Sequence, residues 1–225
     1  MSGKLSPLRS GGYPESGEAL LVAHGLPPDL LRQASRRLEL ASLAVATFYS
    51  ATLVLNYTLS ALGWRPRSHL AWHNLIALAV ISISLALFWL CRRGRLEPIH
   101  LLDLGLVYEV VVGLAISLQD NLAPLSPDRP LDTISWLCMW IVMFPLIVPA
   151  PPFKALVASL AAASTWPPAF AVGLALGNAS PPASVVALNF LENYIAVGWA
   201  LVSTLVCAGW GLTCRRRARW GATSS

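Results

Sequence analysis

A chain of 225 residues that is 56% hydrophobic and only 12% charged lies far from the roughly 25% charged residues of an ordinary soluble domain. Its apolar residues come in long blocks, the pattern of a polytopic membrane protein. The net charge of +5 sits almost wholly at the ends of those blocks, which speaks for membrane topology and against a nucleic-acid partner.

Residues 1–25 are polar at first and rich in Gly, Ser and Pro. They lack the apolar core of a secretory signal and read as a disordered cytoplasmic tail. Residues 26–39 follow as an interfacial amphipathic helix. Pro27 and Pro28 suit a helix start and Asp29 its electropositive first turn. Leu30, Leu31, Ala34 and Leu38 recur at helical spacing, and Arg32, Arg36 and Arg37 fill the other positions, a basic face for lipid headgroups.

Six candidate spans come next, at 40–63, 70–91, 98–119, 133–150, 155–177 and 184–213. Each is near or above the ~20 residues that a crossing helix needs. Thirteen Lys and Arg fall on the N-terminal side of this alternation, among them Arg92, Arg93, Arg215, Arg216 and Arg217, against three on the other. By the positive-inside rule both termini are cytoplasmic. The expected fold is an all-α polytopic bundle of six transmembrane helices in a cell membrane, closed by a basic tail at 214–225.

The third block, PIHLLDLGLVYEVVVGLAISLQ, holds His100, Asp103 and Glu109. A carboxylate in hydrocarbon costs roughly 2.5–3.5 kcal/mol on insertion scales, so this helix belongs inside a bundle. His100 and Asp103, three apart, share a helix face near the cytoplasmic end. Glu109 sits near mid-depth, about 120° around from Asp103, so the two acids do not make a catalytic pair. No Lys or Arg lies deep in a span. Glu109 is thus expected to bond Asn56 or another polar side chain, or to act as a proton or ligand site. The last block brings Asn189, Glu192 and Asn193, where the asparagines can satisfy the acid. Pro167 and Pro168 fall midway along the fifth block and predict a kink. The four cysteines show no metal-ligand or disulfide spacing, and GxSxG, HExxH and GxxxxGK[ST] are absent. No metal, cofactor or enzymatic activity is expected.

Several stretches together carry a resemblance: residues 26–38, Asp103 to Val111 (DLGLVYEVV), Ile134 to Trp136, Phe144 to Pro152 (FPLIVPAPP), and Asn193-Tyr194. They resemble the N-terminal six-span membrane region of bacterial, eukaryotic-like serine/threonine protein kinases, over about residues 26–206. In that family a cytoplasmic kinase domain follows. Here the glycine-rich loop, the ATP-binding lysine and the catalytic aspartate have no counterparts. The resemblance implies a bacterial inner-membrane anchor or sensor module for signal transduction. Its partners would be the lipid bilayer, a kinase domain or a second copy, and its candidate polar sensor residues Asp103, Glu109, Glu192, Asn193 and His100. A small proton-coupled transporter is the alternative.

Overall fold

The computed structural model describes residues 28–63, 70–94, 96–122, 135–148, 150–176, 178 and 181–222, with side chains undescribed at 28–32, 70–71, 98 and 207–222. The expected tail at 1–25 and the loop basics Arg65, Arg67, Arg95 and Arg129 lie outside the described residues, as do the side chains of Arg215, Arg216 and Arg217. The described residues are almost wholly helical, without a strand: α1 (Pro28–Ala61), α2 (Leu70–Arg93), α3 (Pro98–Leu122), α4 (Trp136–Ile147), α5 (Pro152–Ala163), α6 (Trp166–Ala175) and α7 (Ala183–Ala222).

Five stretches are long and apolar enough to cross a membrane, one of them formed by α5 and α6 together over Pro152–Ala175. The fourth expected span is shorter than the sequence implied. α4 holds only 12 residues instead of covering 133–150. The Ser135 hydroxyl caps its start, accepting from Leu137 N at 3.2 Å. Pro145 in its last turns has no N–H to donate, and Val148 is already extended at φ −111°, ψ 93°.

The fifth span is divided. α5 ends at Ala163 and α6 begins at Trp166, after a turn at Ser164 and Thr165. Pro167 and Pro168 cannot donate to the carbonyls of residues 163 and 164, so the ladder fails there. The Thr165 hydroxyl donates to Ala162 O at 2.7 Å, a local repair of the kind broken spans need.

Residues 28–39, within the expected interfacial helix at 26–39, are continuous with the first span. α1 runs unbroken for 34 residues, because no Gly or Pro interrupts it after Pro28. The stripe Ala34, Leu38, Ala41 and Ser42 is buried to 7% exposure or less, packing into the bundle, with Arg36 and Arg37 exposed. α1 and α2 end in turns at Gly63 and Gly94, whose φ of +78° and +61° fit glycine far better than any residue with a Cβ. The basic tail expected at 214–225 is likewise helical in backbone as far as Ala222.

α3 is the hub. Half of its span is buried, against 22% for α2 and α7, and it packs on α1, α2, α4, α5 and α6. The directions follow from side-chain neighbours. Asn74 donates to Tyr57 Oη at 3.0 Å and closes the antiparallel hairpin of α1 and α2. Along α3 and α5–α6 the neighbours ascend together: Asp103 with Lys154, Glu109 with Ser159, Gly113 with Ala162, and Ser117 with Thr165. These segments are therefore parallel. Against α4 the order reverses, with Gly113 near Leu137 and Glu109 bonded to Trp140. Outward-facing Phe48, Leu55, Leu75, Trp199 and Leu205 are more than half exposed, an apolar perimeter suited to lipid.

Candidate functional site

The seam between α3 and α5–α6 gathers most of the polar chemistry. At one end Lys154 Nζ donates to Asp103 Oδ1, the two side chains being 39% and 51% exposed. His100 does not join them. It lies 3.8 Å from Glu97 Oε2 with both side chains well exposed. A shared helix face thus did not bring His100 and Asp103 into one group. An ion pair this exposed contributes little, about 0–1 kcal/mol. Lys154→Ala is therefore expected to leave the unfolding temperature in detergent within about 2 °C of the parent, as a thermal melt would read.

About 1.7 turns further along, Glu109 is fully buried. Ser159 Oγ donates to its Oε1 at 2.9 Å, and Trp140 Nε1 donates to its backbone carbonyl at 2.9 Å. Its Oε2 has no hydrogen-bond partner among the described residues. The Glu109 helix therefore contacts α4 and α5 through two polar bonds at one level. Beside it Tyr108 bonds Ser84 of α2 at 2.7 Å, and its ring stands edge-on to Trp140 at 6.2 Å.

Beyond Glu109 the seam turns dry and tight. A methyl placed on Gly113 would lie 3.2 Å from Ala162 Cβ and 3.3 Å from Leu137 Cδ1. Leu137, Ile141 and Ala162 are fully buried there. Polar pairing resumes at Ser117 and Thr165, 2.9 Å apart and buried. It ends where Asn178 Nδ2 donates to Asn121 O at 2.7 Å. From Asp103 to Asn121 the seam rises about 27 Å, close to the ~30 Å of a bilayer's hydrocarbon core.

The α7 residues form a separate group. Asn193 is 1% exposed and accepts from Cys138 Sγ at 3.2 Å, while its buried Nδ2 has no partner among the described residues. Asn189 donates to its own backbone at Val185 O. The asparagines therefore bond elsewhere instead of satisfying Glu192, which is half-buried. Asn56, proposed from sequence as a partner for Glu109, is half-buried on α1; the bond to the Glu109 carboxyl comes from Ser159. Arg36, Arg37, Arg92 and Arg93 are exposed at the same end of the bundle as Lys154. Arg93 also stacks over the Trp89 ring, a cation–π contact of the sort that steadies a helix end.

Lys154, Ser159, Trp140 and Thr165 were not among the sequence candidates. Their signal was faint but present. Glu109, Gly113, Ser117 and Asn121 recur every four residues, a polar and small stripe along one face of an apolar helix. No group of three or more His, Cys, Asp or Glu side chains that could hold a metal occurs among the described residues. No protein-family model, curated protein or solved structure matches the chain.

Proposed function

We propose that this chain is a non-catalytic integral membrane module, an anchor and sensor of the type that precedes bacterial serine/threonine kinase domains. It crosses the inner membrane six times with both ends cytoplasmic. The parallel course of α3 and α5–α6 supports the sixth crossing. The chain leaves α3 at one end of the seam and enters α5 at the other, so residues 123–151 must return through the bundle's depth. α4 supplies about 18 Å of that return, and the four proline-rich residues 148–151 can span at most about 13 Å more. The basic end formed by Arg36, Arg37, Arg92, Arg93 and Lys154 supports a cytoplasmic assignment for that side.

The observation that carries the sensor reading is α7. It is a single helix of 40 residues, of which the apolar stretch Ala183–Val206 accounts for 24. The remaining helix extends about 24 Å further, and α7 packs on α4 and α5, the two helices that hold Glu109 by side-chain bonds. A change in packing around Glu109 is thereby conveyed to α7 and to whatever α7 is attached to.

The test is a full-length fusion, with a serine/threonine kinase domain joined after Ser225 and reconstituted in liposomes. Glu109→Gln and Glu192→Gln are expected to change autophosphorylation severalfold while leaving membrane insertion intact. Unchanged phosphorylation in both variants would count against the sensor. A second reading, a small proton-coupled carrier, draws on the polar seam and the broken fifth span. Substrate flux in proteoliposomes that Glu109→Gln abolishes would favour it.

A further inference from the structure

We infer that Glu109 is a proton-binding site in exchange with water on one side of the membrane only, the side marked by Asp103 and Lys154. Three features of the seam lead there. Glu109 is completely buried, its carboxyl receives one hydrogen bond, from Ser159, and its Oε2 has no partner among the described residues. As an anion it would hold a full charge in a dry interior on a single neutral donor, an arrangement that burial strongly disfavours. As the acid it needs only Ser159 and a second small polar partner such as water. The group is thus built to hold a proton, which must come from somewhere.

The two directions along the seam differ. Toward Asp103 the rise is six residues, about 9 Å. The α5 side of that path is lined by the small, buried side chains of Ala155 and Ala158, and the inferred water file passes beside them. At its mouth stand the exposed Asp103 carboxylate and Lys154 ammonium, a hydrated pair able to pass a proton onward. Toward Ser117 the rise is about 12 Å through the packed layer of Gly113, Ala162 and Leu137, where an added methyl would stand 3.2 and 3.3 Å from its neighbours and force them to give way. Among the described residues, the titratable side chains on the elements that meet the seam include Asp103, Tyr108 and Asp120 on α3, Tyr49 on α1, Cys138 on α4, Lys154 on α5 and Tyr194 on α7, which contacts Ser164. Lys154 is the one cation among these, and it is already engaged with Asp103. The site stands whether the module signals or carries. Only its assignment to the cytoplasmic face rests on the orientation proposed above.

Infrared spectroscopy of the full chain in liposomes tests this. The wild type is expected to show a protonated-carboxyl C=O band that vanishes in Glu109→Gln, shifts in D₂O, and disappears reversibly on alkalinisation. Ser159→Ala, which removes the bond to Oε1, should move that band to higher frequency without abolishing it, so the assignment does not hang on one variant. Access is read from the rate of the D₂O shift. Replacing the mouth pair by Asp103→Leu with Lys154→Leu should slow exchange at least about tenfold, equivalent to some 1.4 kcal/mol of added barrier, whereas Ser117→Val should not change it. Absence of the band in the wild type, or a band that never exchanges, overturns the proton site. Slowing by Ser117→Val as large as that of the mouth pair overturns the one-sided access.

Discussion

Gly173→Leu is expected to lower the stability of the bundle by about 3 kcal/mol, the upper part of the range for forcing atoms into a packed interior. A Cβ at Gly173 would stand 2.5 Å from the backbone oxygen of Asn121. That oxygen belongs to a helix end and cannot swing aside as a side chain would. α6 would have to lift off α3, and the Asn178 amide, which donates to the same oxygen, would lose its partner at a further cost near 1 kcal/mol. Gly198 is the matched control. A Cβ there meets nothing within 4 Å, so Gly198→Ala should be neutral or stabilising by up to about 1 kcal/mol through helix propensity. Unfolding curves of both variants in one detergent decide it; equal effects would mean that α6 does not dock closely on α3.

The second large effect is expected at Phe144. It is 1% exposed and the largest of the fully buried side chains, set between Trp140 and Tyr108 at ring separations of 5.2 and 6.4 Å. Phe144→Ala leaves a cavity of aromatic size in a cluster where α1, α2, α3 and α4 meet, and a cost of about 3 kcal/mol follows. In a membrane the transfer part of that cost shrinks, since lipid is as apolar as the core, and lost packing contacts dominate. Phe153→Ala, at a side chain 76% exposed, removes the same atoms from the perimeter and should stay within about 0.5 kcal/mol. A difference of less than about 1 kcal/mol between the two variants would show that Phe144 does not pack the core.

Much of this architecture was legible before any coordinates, because spans announce themselves by unbroken apolar length. The third block's burden of His100, Asp103 and Glu109 pointed to an interior helix, and α3 is indeed the most buried span. Pro167 with Pro168 was expected to kink the fifth span, and the helix is divided there. What apolar composition set too wide was the fourth block, 133–150, of which α4 takes 12 residues, because apolar length is blind to the N–H that Pro145 lacks. The seam partners were illegible for another reason. Asp103 finds Lys154 and Glu109 finds Ser159 at separations of 51 and 50 residues, set by which helices lie side by side. Rotation along α3 put the two acids about 120° apart, yet both meet α5, because the long Lys154 side chain reaches around the helix to its partner.

The unbroken course of α7 turns small angles into usable travel. If the Asn193–Cys138 contact serves as a fulcrum, the backbone from Asn193 to Ala222 is a lever arm of about 43 Å. A tilt of about 5° at the fulcrum sweeps the far end through roughly 4 Å, more than two residues of helical rise. A shift too slight to disturb the apolar perimeter would thus arrive at the C-terminal end of this helix as a displacement large enough to make or break a contact.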